Sequence, residues 1–135
     1  MKKIKTLISW SGDNYAATAS NVNGVIIATA PTLEKVKKEF EESLKFHIDE
    51  AVADGDNISD DLKNGNYEIE YEMHISAILH DLDGIVTRSA LSRVTGINER
   101  QLGHYLSGYR NPRPEQRKKI LEGIHEIGNK LISVV

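Results

Sequence analysis

The sequence predicts an α+β protein in two parts: a β-β-β-α-β module over residues 1–72 and an all-α domain over 73–135. Three observations carry that expectation. Apolar residues alternate before Pro31 and again from Tyr67 to Met73, but recur at steps of three and four between those stretches and after Met73. Charge divides at the same point, with eight Lys/Arg against fourteen Asp/Glu in residues 1–72 and nine against six in 73–135. Almost no linker separates the two parts.

Each element has a local reason. A run containing Ile4, Leu7 and Ile8 ends at Trp10 as a first strand, and Ser11 to Asn14, SGDN, is turn chemistry. Tyr15, Ala17 and Ala19 fall on alternate positions of a second strand. SNVNG turns at Gly24, and VIIATA makes a third strand, completing an antiparallel meander. After Pro31, Thr32 is an N-cap, Glu34 suits the positive end of the helix dipole, and Leu33, Val36, Phe40, Leu44, Ile48 and Ala51 form an apolar stripe. DGDN ends that helix, the acidic loop to Asn66 holds no element, and YEIEYEM is a half-buried strand.

Beyond Met73 the period is helical. Ile75, Ile78, Leu79 and Leu82 mark a short helix stopped at Asp83–Gly84. Thr87 caps a second, with Leu91 and Val94, and Gly96 allows the left-handed turn that ends it. A third runs from Asn98 to about Ser107 with Leu102, Tyr105 and Leu106 apolar. Gly108 ends it, and NPRP delays the last helix to about Glu115, with Ile120, Leu121, Ile124, Ile127 and Leu131.

The totals narrow the class. A chain of 135 residues is one ordinary domain or two small ones, and 39% apolar content suffices for a core. The absence of cysteine excludes disulfides and thiolate chemistry and fits a reducing cytoplasm. MKKIKTLISWSGD lacks the apolar run of a signal peptide, and no stretch nears the roughly 20 apolar residues of a membrane span. The expectation is a cytoplasmic protein with no membrane association.

Two short helices joined by a tight turn at Gly96 and Ile97 have the geometry of a helix-turn-helix. Ile97, Leu102 and Tyr105 supply its inward face, and Ser92 is a small residue where the helices approach. Asn98, Glu99, Arg100, Gln101 and His104 then occupy the outward or N-terminal surface of the second helix, the end that enters the major groove. Arg pairs bidentately with guanine, and Asn or Gln with adenine. Arg88, Tyr109, Arg110 and Arg113 are placed to meet phosphates. Residues 87–119 carry eight Lys/Arg and two Asp/Glu, which favours a nucleic-acid-facing segment over scattered surface charge. Plainer readings stand beside these. Asn98 suits an N-cap with Gln101 as its capping-box partner, His104 suits a solvated helix surface, Arg93 suits a surface ion pair, and three apolar-striped helices suit a plain packing bundle.

Gly96–Ile97 through Gly108 with Pro112 resembles the Xre/Cro-like helix-turn-helix over roughly residues 87–127, departing at Thr95, where a larger apolar residue is usual, and at Ser92, where alanine is. DNYAATASNVNGVIIATAPTLEKVKKEFEESL resembles the HicB antitoxin module. Tyr15, Asn21 to Gly24, Thr32–Leu33–Glu34 and Leu44 occupy its recurring places over residues 3–73, and Asn21–Val22–Asn23 stands where Leu-Pro-Gly is usual. The resemblance implies a partly RNase-H-like fold and a small basic HicA-like ribonuclease toxin as partner. It also implies inhibition by covering the toxin's active site and repression of the shared operon.

Enzymatic chemistry is not expected. The first strand, KKIKTLISW, lacks the carboxylate an RNase-H-type metal site needs. His47, His74, His80, His104 and His125 show no metal-ligand spacing, and no Gly-rich phosphate loop or nucleophile elbow occurs. No catalytic residue, metal or cofactor is assigned. The expected function is an antitoxin that neutralises a HicA-like toxin and represses its own operon by binding double-stranded operator DNA, as a homodimer or higher oligomer. Dimer contacts are expected from the apolar ISVV end of the last helix. The alternative is a stand-alone helix-turn-helix regulator whose N-terminal module senses a small molecule.

Overall fold

A computed structural model describes all 135 residues and contains four strands and six helices, an α+β architecture. Two compact units comprise Met1–His74 and Ile75–Val135. The division falls two residues beyond the boundary read from the sequence: Met73 completes the last strand and the His74 amide donates to Ile8 O at 2.8 Å.

In the first unit, β1 (Lys2–Trp10), β2 (Tyr15–Ala19), β3 (Ile26–Ala30) and β4 (Tyr67–Met73) form one sheet in the order β3-β2-β1-β4. The first three are antiparallel neighbours, whereas β4 lies parallel to β1. Ile4, Thr6 and Ile8 of β1 point to the buried face. Leu7 therefore points the other way and is 43% exposed, unlike its placement among the strand's apolar residues, because a strand inverts its side chains at every step. The parallel register sets Lys3 beside Glu68 and Lys5 beside Glu70, opposite charges on neighbouring positions of one face.

The helix α1 (Leu33–Ala53) lies against β2 and β3. Thr32 Oγ1 accepts from the Lys35 amide at 3.2 Å, and Val36, Phe40, Leu44, Ile48 and Ala51 are buried. Ala17, Ala19, Ala28 and Ala30 are buried on those strands, so small side chains let the helix come close. The acidic loop does hold an element: Ser59 caps a one-turn helix, α2 (Asp60–Lys63), and Leu62 anchors it in the core. A single turn leaves no periodicity to read in the sequence.

The turn before β3 is also more than a surface loop. Val22 is fully buried, Asn23 has φ 60°, Asn21 Nδ2 donates to Lys3 O at 3.0 Å, and His47 Nε2 lies 2.9 and 3.1 Å from the Val22 and Asn23 carbonyls. On β4, Tyr71 donates to Glu41 at 3.4 Å with the Lys37 ammonium 5.0 Å from its ring centre. Burial first, and the Glu41 carboxylate second, push the Tyr71 hydroxyl up to about 12.

The second unit contains α3 (Ile75–Asp81), α4 (Arg88–Thr95), α5 (Glu99–Leu106) and α6 (Pro114–Ile132). Ile75, Leu79, Leu91, Ile97, Leu102, Tyr105 and Ile120 form one buried cluster, to which every helix contributes. Pro114 starts α6 at its first turn, where a missing amide costs nothing.

Candidate nucleic-acid interface

The α4–α5 pair is built from caps. Thr87 Oγ1 accepts from the Ala90 amide at 3.0 Å, and α4 ends at Gly96 with φ 76°, a conformation that suits glycine. Thr95 spans the turn. Its hydroxyl donates to Leu91 O at 2.6 Å and accepts from the Ile97 amide at 3.2 Å, so it ties both sides of the turn. Ile97 enters the core and Asn98 Oδ1 accepts from the Gln101 amide at 2.8 Å to open α5. A close approach of α6 to α4 is made at Gly123. A methyl group on Gly123 would lie 2.6 Å from Thr95 Cγ2 and 3.1 Å from Val94 Cγ2, so only glycine lets α6 meet α4 there.

The eight sequence-assigned residues separate into groups. Asn98 acts as the cap, so its oxygen is engaged and its amide nitrogen alone is left to donate outward. The capping box is incomplete, because Gln101 Nε2 donates to the Tyr105 hydroxyl at 2.8 Å instead of turning back to Asn98. Arg100 is exposed. His104 differs from its expected solvated position: it is half-buried, with its ring 5.1 Å from that of Tyr109 and its Nδ1 buried without a partner. Tyr109 is 72% exposed and the Arg110 guanidinium stands 5.8 Å from its ring centre. Arg113 precedes α6 at its N-cap position.

Gln101, Arg110 and Arg113 are brought together along an open groove of ≈ 700 Å³ that Tyr105, Gln116 and Lys119 also line. Gln116 and Lys119 were not assigned from the sequence. They lie on α6, and nothing in the pattern shows which turn of α6 meets α5. Gln116 Oε1 is buried without a partner. Arg88 stands apart from this groove, at the first position of α4, where a methyl group on Gly103 would come within 2.5 Å of its guanidinium.

Helix geometry relates the groups. Positions 100 and 104 of α5 share one stripe with its C-cap, Ser107; Gly103 borders it on one side and Gln101 with Tyr105 on the other. Arg88 therefore flanks the stripe at Gly103, and Arg110, Arg113 and Lys119 flank it along the Gln101 edge. Cations on both sides of an exposed helix suit a strand of phosphates on either wall of a groove.

No group of three or more His, Asp or Glu is placed to hold a metal ion, and no helix is long and apolar enough to cross a membrane. Comparisons with protein-family models, with curated proteins and with solved structures found no match for this chain.

Proposed function

We propose that the chain is an antitoxin of the HicB type and a transcriptional autorepressor, working in the cytoplasm without catalysis. Residues 75–135 serve as an Xre/Cro-like helix-turn-helix that reads operator DNA, and residues 1–74 bind and neutralise a small basic ribonuclease toxin. The observation that carries the DNA-binding half is the flanking of the Arg100–His104–Ser107 stripe by Arg88 on one side and Arg110, Arg113 and Lys119 on the other.

In this reading α5 enters the major groove. Arg100 pairs with a guanine, and Gln101 reads adenine. The Tyr105 hydroxyl occupies only one of the two Nε2 hydrogens of Gln101, so Oε1 and the other hydrogen remain for the base while the amide is held in one orientation. Arg88, Arg110 and Arg113 meet phosphates, and Tyr109, held between His104 and Arg110, packs against the backbone. One such unit covers a half-site, so operator binding requires a dimer. The α6 end, with Leu131 63% and Ile132 83% exposed, offers the apolar contact.

The toxin half rests on the resemblance of residues 3–73 and on charge: fourteen carboxylates against eight lysines complement a protein that must itself be positive to hold RNA. Footprinting of the purified chain on the promoter of its own gene tests the DNA half. Protection of paired sites one helical turn or multiples apart is expected, and uniform binding to any duplex would refute it. Rescue of growth when the chain is co-expressed with the basic protein encoded beside it tests the other half.

A further inference from the structure

The outward face of α1 carries an aromatic side chain that nothing in the unit uses. Val36, Phe40, Leu44, Ile48 and Ala51 are buried on one side of the helix. Phe46 lies on the opposite side and is 65% exposed. Glu42 precedes it by four positions and Asp49 and Glu50 follow by three and four, so on a helix all three carboxylates are its immediate neighbours, with Glu39 one turn further. All four are exposed. Leaving a phenyl ring in water forgoes roughly the burial free energy of a large side chain, and a phenylalanine centred on a charged face does not serve solubility.

We infer that Phe46 and the carboxylates around it form the docking surface of the first unit for a basic protein, with the ring entering an apolar cleft on that partner. The inference rests on the antitoxin reading and adds the place of contact. Charge selects the occupant. From Glu39 to Asp61 the chain holds nine Asp/Glu and one lysine, which repels nucleic acid and anionic lipid alike. A second copy of this face would set like charges opposite each other. A cationic surface that holds RNA phosphates meets both requirements: the carboxylates take the place of phosphates, and the ring takes the place of a stacked base. A buried aromatic within a ring of charges is the arrangement in which a single side chain dominates binding.

The test uses the full-length chain. The basic protein that co-purifies with it in fixed ratio from the native host is isolated and titrated against wild type, Phe46→Ala, Glu42→Lys/Glu50→Lys and, on the open sheet face, Ile27→Ser. Phe46→Ala should weaken binding about 30-fold. The charge reversal should weaken it about tenfold or more at low salt and less at high salt. Ile27→Ser should bind as wild type, and all variants should keep the wild-type melting temperature because each altered residue is exposed. If wild type binds the basic protein and Phe46→Ala binds it equally well, or if Ile27→Ser alone abolishes binding, the surface is elsewhere and the antitoxin reading stands. If the chain retains no basic protein, or only a second copy of itself, both fall.

Discussion

In residues 1–74 most of the fully shielded side chains come from a sheet and a long helix, such as Ile4 and Ile8 on β1 and Phe40 and Leu44 on the 21-residue α1, with Val22 added from the turn before β3. In residues 75–135 they are spread over three helices: Ile75, Ser76 and Ala77 on α3, Leu102 on α5 and Ile120 on α6. Helices α3, α4 and α5 have seven or eight residues, below the roughly 12–15 at which an isolated helix is even marginal in water. The contrast shows where stability resides. The first unit is held by a layer that any one contact supports only in part. The second exists through a single shared cluster plus its caps, and it presents its exposed helix face from that small base.

Deep truncations probe the contrast most strongly. Phe40→Ala should cost about 3–5 kcal/mol and Leu102→Ala about 2–5 kcal/mol. In hydrogen exchange, loss of protection from Leu102→Ala should spread over α3 to α6 together, and loss confined to α5 would contradict the shared-cluster account. Next in size are two glycines within helices. Gly123→Val should destabilise by about 1–3 kcal/mol, since Thr95 Cγ2 and Val94 Cγ2 already crowd the space its Cβ would need. Gly103→Ala meets only the mobile end of Arg88 and should instead gain up to about 1 kcal/mol of helix stability. Thermal melts that rank the two the other way would show that α4 and α6 do not meet as described.

On DNA, Arg100→Ala should lose about 1–3 kcal/mol of discrimination at one base pair, whereas Arg110→Ala should weaken all sequences alike and lower the salt dependence. Equal, sequence-independent losses from both would contradict the separation of stripe and flank. Thr95→Val removes the hydroxyl bridging Leu91 and Ile97, at a cost of about 1–2 kcal/mol seen in denaturant melts. The smallest effect lies in the first unit. Tyr71 is held above the ordinary phenol value of 10.0, so its hydroxyl's contribution is whole below about pH 10 and fades as pH rises to about 12. Stability of the wild type should fall more steeply across that window than that of Tyr71→Phe, by a modest margin because the side chain is partly solvated.

Much of this was legible in the residues. The alternation of Tyr15, Ala17 and Ala19, the stripe from Val36 to Ala51, and the caps Thr32, Thr87 and Asn98 are local signals, and the elements stand where those signals put them. What was not legible depends on a partner that hydrophobic periodicity does not reveal, whether near in sequence or far. Gly123 reads as a weak point in a helix until α4 is beside it. Gln101 reads as a capping-box residue until the Tyr105 hydroxyl is found within 2.8 Å. His104 reads as solvated until Tyr109 folds back against it. Gln116 and Lys119 belong to the groove only through the packing of α6 on the rest of its unit. Leu7 could have been placed from the sequence, since Lys3 and Lys5 already mark the outer face of β1.

The parallel seating of β4 against β1 has a consequence in time. Every rung of that pairing, from Lys2–Tyr67 to Ile8–Met73, joins residues 65 positions apart. During synthesis the meander and α1 emerge first, and β1 stays open along one side until the chain has lengthened past Met73. Long-range closures of this kind are slow and leave an unpaired edge while they wait. Completion of the first unit is therefore timed by the last strand to arrive. A nascent chain halted before Tyr67 would expose the side of β1 that β4 later covers.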